Sequence, residues 1–451
     1  MPSQYLEDFC RFAATTTFAS LPPNVVQRTK DIIADTLAVI AAGSQEKEIL
    51  ELIRRIAANR IGSGTLLGNG RKVDAATAAL VNGTAGTFLE LDEGNQFARG
   101  HAAIHVFPAA LALAEQERRS GEELINAVAL GYEIACRIGI ASKLRPSMHP
   151  HGTWGTVGAA LAAGKLRGFT ASQLRELINV SSTLGIATSR NTMLEGATIR
   201  NAFSGISNHM GLLAVDLVLS GFTGEDDGLQ TIYGDVSSTS FSPQEITADL
   251  GKRWEVTRNY FKVHACCRYT HCVLDALEVI KLSLPEKRIP VDQVEKIEVE
   301  TYSLAAQLSR QAPKNMLAAK FSIPFAVATY LVRGSAGVES FRRIALNDET
   351  SAALASKVQV VEAPDLTAMM PARRPSRVRI NLTDGRVLYA ETFINRGDAE
   401  DPYGADVLKA KYFELAEPVW GKSAAQAIWD DVSTLDNLHD VRTLTGHIQK
   451  V

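Results

Sequence analysis

Residues 154–166 read WGTVGAALAAGKL, and the reading of this stretch decides the first half of the chain. It is dense in Gly and Ala at helical spacing. Small side chains let helix axes approach closely, so the run predicts a buried helix packed against other helices. Residues 205–219 have the same character. Outward from there, residues 122–140 place Leu124, Val128, Ala135 and Ile138 near one helical face. Thr170, followed three residues later by Gln173, is a capping-box signature for a helix over 173–184. Residues 1–255 therefore read as one large all-helical domain. Residues 62–70, GSGTLLGNG, read as a strand between turns; no βαβ unit surrounds them, so they are no dinucleotide fingerprint.

The pattern changes after residue 255. Residues 294–299 alternate as VEKIEV, a half-buried strand, and residues 357–362 contain another β-branched run. Residues 377–382 and 386–389 flank Thr383-Asp384-Gly385, and Asp-Gly is a strong hairpin signal. Helical stretches over 270–281 and 322–331 lie between these strands. Residues 256–395 thus form a smaller α+β domain. The tail, 396–451, is helical again over 404–415 and 423–435 and is expected to complete the first domain. The fold class is mainly α.

The chain has 451 residues, 46% of them hydrophobic, enough for a large core and two or three domains. Its 47 basic and 50 acidic residues nearly balance, with a formal charge of −3, which argues against nucleic-acid binding. No uncharged apolar run is long enough to span a bilayer, so no membrane partner is expected. Residues 1–22 lack signal-peptide order. The five cysteines, three of them bunched at 266, 267 and 272, do not resemble a disulfide framework. A cytoplasmic protein with reduced thiols is expected.

The histidines carry the chemical signal. Of nine, seven fall between His101 and His271, and imidazole is the side chain suited to proton transfer near neutral pH. His101 follows a run containing Glu90, Asp92 and Glu93 and a Gly-rich turn, which could return a carboxylate to orient the ring; a solvated acidic loop is the bland alternative. His149 and His151 precede the small-residue helix, near an N-terminus suited to anions; a loop capped by Thr153 is the alternative. Lys262 to His271 packs two cations, two histidines and two thiols into ten residues. A zinc reading of Cys266, Cys267 and His271, or of the His101/His105 pair, matches no paired ligand spacing, and no metal is expected. Arg200, among small apolar residues, could hold a substrate carboxylate by two parallel hydrogen bonds or sit in a surface ion pair.

In their order along the chain these segments resemble the MmgE/PrpD family, whose members include 2-methylcitrate dehydratase, cis-aconitate decarboxylase and iminodisuccinate epimerase. The landmarks are Asp35-Thr-Leu-Ala38, Val81-Asn-Gly-Thr-Ala85, the acidic run before His101, Pro108-Ala-Ala-Leu111, His149-Pro150, Gly221-Phe-Thr-Gly224, Lys262 to His271, Phe321-Ser-Ile-Pro324, Asp401-Pro402 and Lys411. The resemblance implies a large all-helical domain with a smaller α+β lid domain, a homodimer, and no cofactor. It implies His101, His149, Asp92, Lys262 and His271 as catalytic residues, with Arg200, Glu90, Gly94 and Arg99 around the substrate. The sequence departs from the family at Asp92-Glu93-Gly94, where a hydroxyl is missing, at Arg200 in place of lysine, at Ala102 in place of proline, and at Phe325 in place of tyrosine.

The implied chemistry is proton transfer or carbon dioxide loss next to a carboxylate, with cations stabilising the developing charge. The expectation is a cofactor-independent lyase, a dehydratase or decarboxylase, acting on a small di- or tricarboxylate. An epimerase of a dicarboxylate is the alternative, and Arg99-Gly100-His101 leans that way. A non-catalytic carboxylate-binding protein is the third reading.

Overall fold

The computed structural model describes residues 3–448. The chain divides into two compact units: Met1–Arg190, Ile199–Asn259 and Gly404–Val451 form a helical unit, and Asn191–Thr198 with Tyr260–Tyr403 form an α+β unit. These bounds differ from the sequence expectation of 255/256 and 395/396. Residues 396–403 stay with the α+β unit because the Phe261 N–H bonds the Gly397 carbonyl at 3.1 Å and Arg268 pairs with Asp398 at 2.6 Å. Residues 191–198 join it too: the Asn315 side-chain amide donates to the Gly196 carbonyl at 2.8 Å. Such distant bonds leave no local periodicity to read.

In the helical unit, the helices Gly155–Leu166 and Phe203–Leu219 form where the small-residue runs predicted them. They pack with Ala75–Gly86, Ala102–Glu117 and Gly121–Ala141. A Cβ at Gly205 would lie 2.2 Å from the Leu80 carbonyl oxygen, so glycine there sets the helix separation. The capping box of Thr170 and Gln173 is present, and its helix runs Ala171–Ser182. The unit is not purely helical: Gly64–Thr65 pairs with Lys72–Val73, and Ser142–Leu144 with Ser238–Phe241. Gly121–Ala141 is apolar and long enough to cross a membrane, but 89% of its apolar stretch is buried by the surrounding protein, as in a core helix. The tail returns through Lys411, whose ammonium donates to Asp35 at 2.6 Å and to the Leu91 carbonyl at 2.8 Å.

Pro108 lies inside the helix Ala102–Glu117 that begins after His101. Proline has no N–H for the Ile104 carbonyl, which normally breaks a helix. The Asn208 side chain repairs the gap, donating to the Ile104 carbonyl at 2.8 Å and accepting from the Ala109 N–H at 2.8 Å.

In the α+β unit, one sheet has the order Val387–Thr392, Ser376–Leu382, Val294–Thr301, Val358–Glu362. The hairpin forms at the Asp-Gly turn and is antiparallel; Val294–Thr301 and Val358–Glu362 pair in parallel. The helices Arg268–Ser283 and Ile323–Arg333 accompany the sheet.

Candidate active site

The loop before His101 folds back on itself. Asn95 anchors it: its side-chain oxygen accepts from the Phe97 and Ala98 N–H groups at 2.9 and 3.0 Å, and its backbone bridges to Gly100. The turn also holds Glu90 and Arg99 at φ 56° and 58°, a left-handed conformation disfavoured for non-glycine residues. The result brings Asp92 and Glu93 back to the imidazole of His101. His101 Nδ1 lies 2.7 Å from the Glu93 carbonyl and 3.0 Å from Asp92 Oδ2. Both oxygens only accept, so Nδ1 carries the ring proton, and Nε2 is the basic nitrogen in the neutral ring.

His149 has the opposite tautomer. Its Nδ1 accepts the backbone N–H of His151 at 3.1 Å, so Nε2 bears the proton. Burial, first, and then the charge of Arg200 hold its pKa well below the usual range, so the ring rests neutral. His105 is saturated: Nδ1–H donates to the His101 carbonyl at 2.6 Å, and Nε2 accepts from the Gly152 N–H at 3.2 Å. Burial pushes its pKa down to about 4. His105 thus pins the 149–152 turn to the helix of His101. A Cβ at Gly155 would meet the His105 ring at 2.5 Å, so glycine is needed for this approach.

His151 sits among these rings, with centroids 4.7 Å from His101, 4.8 Å from His105 and 4.8 Å from His149. The sequence groups it with His149 but points to no role for it. Asp92, His101 and His151 each place one donor atom within 4.8 Å of the others. This set, not the cysteines, is what the described residues offer a cation; all five cysteines are buried and unpaired by disulfides. A tetrahedral zinc ion with bonds near 2.1 Å would draw its ligands to about 3.4 Å apart.

Glu93 was expected only as part of an acidic run. Its carboxyl accepts from the Ala103 N–H at 2.9 Å, capping the helix after His101, and from the Tyr132 hydroxyl at 3.0 Å. Full burial raises its pKa to about 8. The carbonyl holds His101 while the side chain holds the helix.

The remaining expected residues divide. Arg200 is buried in the cluster, but its fork is taken by the chain's own Glu90, which it grips with both terminal nitrogens. The expected open carboxylate clamp is therefore a neutralised pair, buried rather than on a surface. Arg99 donates to the Gly139 carbonyl at 3.0 Å and to the Ser142 carbonyl, tying the loop to a helix end. Gly94 lies buried in the two-residue strand Gly94–Asn95. In the α+β unit Lys262 is fully buried. There, His271 uses both nitrogens: Nδ1 accepts from Arg268 at 3.0 Å, and Nε2 faces the Cys266 carbonyl at 3.3 Å. Burial and then Arg268 push its pKa well down.

Two family descriptions match in sequence, the MmgE/PrpD N-terminal domain over residues 7–246 and the MmgE/PrpD C-terminal domain over residues 264–437. The chain belongs to the MmgE/PrpD family. A cis-aconitate decarboxylase of Aspergillus terreus (strain NIH 2624 / FGSC A1156) is 25% identical over 464 residues, covering 97% of this chain and 94% of the relative. The cis-aconitate decarboxylase-like protein oryM of Aspergillus oryzae (strain ATCC 42149 / RIB 40) is 24% identical, covering 98% and 96%. The cis-aconitate decarboxylase of Homo sapiens is 25% identical, covering 94% and 90%. For an MmgE/PrpD protein, the helical N-terminal region thus carries a histidine cluster with two opposed tautomers.

Proposed function

We propose that this lyase removes carbon dioxide or water from a small tricarboxylate, with cis-aconitate the first candidate substrate. The lyase class follows from the family and its decarboxylase relatives. The observation that carries the finer reading is the opposed bonding of two rings in one buried cluster: His101 turns Nδ1 to an acceptor, and His149 turns Nδ1 to a donor. One Nε2 is then a base and the other an acid without any rearrangement.

In this reading His101 Nε2 takes the proton next to a carboxylate when water is eliminated; loss of carbon dioxide removes no such proton and leaves His101 neutral. Asp92 and the Glu93 carbonyl stabilise the imidazolium that forms. His149 Nε2–H protonates the departing group or the carbanion left by carbon dioxide. The Glu90–Arg200 pair contributes fixed dipoles rather than net charge. The reading needs no cofactor.

An opposed base and acid also suit epimerisation of a dicarboxylate, which is the second reading. Proton NMR of the purified protein with cis-aconitate and related polycarboxylates in deuterated buffer separates the two. Loss of substrate with release of carbon dioxide or change in hydration supports the lyase reading. Deuterium incorporation with no net loss supports the epimerase. Binding without either reaction overturns both. A homodimer is proposed as the working form and is checked by light scattering on the eluting protein.

A further inference from the structure

The His151 imidazole is 1% exposed, and neither ring nitrogen has a hydrogen-bond partner among the described residues. A buried polar group left without a partner is costly, because it has given up its bonds to water. An apolar side chain of similar volume would avoid that cost, so the ring calls for a transient partner. Its main chain is already employed, since the His151 N–H sets the tautomer of His149.

The proposed acid and base end each elimination or epimerisation in the wrong state. His101 Nε2 has gained a proton, and His149 Nε2 has lost one. His105 has both nitrogens bonded to backbone groups, and His101 Nδ1 faces acceptors that already hold its proton. His151 stands beside both partners, at ring separations of 4.7 and 4.8 Å. One ring nitrogen of His151, one of His101 and a carboxylate oxygen of Asp92 lie within 4.8 Å of one another. One water accepting and donating bonds near 2.8 Å spans about 4.6 Å, so a single water bridges such a gap.

We propose that His151 is a proton-relay residue that returns the proton from His101 to His149 between turnovers. The His101 Nε2–H bond breaks, the bridging water passes on one proton, and an N–H bond forms at the unprotonated nitrogen of His151. The proton on the opposite nitrogen then leaves for His149 Nε2. One proton has moved, His151 is neutral again, and exchange through the same water restores its tautomer. Burial and the charge of Arg200 hold its pKa well down, which suits a group that passes a proton on rather than keeping it. The charged and titratable groups facing it are Asp92, His101, His105, His149 and Arg200.

The relay rests on the proton-transfer reading of His101 and His149, and its test keeps the two apart. Steady-state and single-turnover rates are measured on a polycarboxylate from which the wild type removes a proton, identified by its exchange with deuterated solvent. His151→Gln keeps hydrogen-bonding capacity but cannot carry a proton. The expected result is a fall of about 30-fold or more in kcat, within the range of acid–base effects, with KM and the first turnover nearly unchanged. Imidazole added to the buffer restores part of kcat. A kcat close to wild type overturns the relay, as does equal slowing of the first turnover. Should the variant fail to fold, the wild type decides: a solvent deuterium effect on kcat but not on the first turnover supports the relay, and equal effects overturn it. His101→Asn is the control. If it keeps turnover, the parent reading fails and takes the relay with it; if turnover is lost while His151→Gln is unaffected, the relay alone fails.

Discussion

The two histidine clusters of this protein use the same residue types to opposite ends. In the α+β unit, His271 is clamped between Arg268 and the Cys266 carbonyl, and Arg268 is locked in turn to Asp398. In the helical unit, His105 is clamped in the same way, but backbone groups fix His101 and His149 in opposite tautomers, and His151 has neither nitrogen bonded. Histidine density alone therefore does not mark a proton-transfer site. The tautomers that the fold imposes on neighbouring rings are what distinguish the two clusters.

The comparison breaks first at His101. His101→Asn should cost 10³-fold or more in kcat, about the upper range for a general base, while His271→Asn should cost less than about tenfold and instead lower the melting temperature. If His271→Asn loses as much kcat as His101→Asn with no loss of stability, the distinction between the two clusters is wrong. Next is the buried ion pair. Arg200→Leu removes the guanidinium that neutralises the Glu90 carboxylate and should destabilise by about 3–5 kcal/mol, whereas Arg200→Gln with Glu90→Gln should recover most of that. Denaturant titration of the three proteins checks it; equal loss in the single and double variants would place the pair's value elsewhere.

The pH response follows from groups held neutral by burial. His105, His149, His151, His264 and His271 all have lowered values, about 4 for His105 and His264. Below the unfolded value near 6.5, the unfolded chain binds protons that the native one refuses, so stability falls as pH drops from 6.5 towards 4. Melting temperature across that window should fall steeply, and a flat profile would contradict the neutral rings. Glu93 works in the other direction. Its value of about 8 means that the native state holds a proton the unfolded chain loses near 4.5, so its contribution falls as pH rises from 4.5 to 8. Glu93→Gln should remove that slope, a smaller effect, seen as a relative gain in melting temperature above pH 8.

Several parts of this arrangement are legible in the sequence. The small-residue runs yield their helices because Gly and Ala at helical spacing allow only close packing, and the Asp-Gly turn yields its hairpin because its backbone conformation suits few other residues. The Gly-rich turn after the acidic run returns Asp92 to His101, 3.0 Å away, as its composition suggests. The domain bounds are less legible, because Gly397, Asp398 and Gly196 are held by bonds to residues far along the chain. The pairing of Arg200 was not legible for a related reason: Glu90 lies 110 positions away in sequence, and nothing local announces that it meets the guanidinium fork.

By itself the sequence determined which chemistry is available: imidazoles, carboxylates and cations in ordered motifs, on helices whose packing is written in their side-chain sizes. Only the tertiary structure decided which nitrogen of each ring holds the proton. A ring's tautomer is set by the acceptor or donor that reaches one of its nitrogens, and here those groups are backbone atoms such as the Glu93 carbonyl and the His151 and Gly152 N–H. Main-chain groups are common to all residues, so their arrangement around a histidine is a property of the fold and not of the letters.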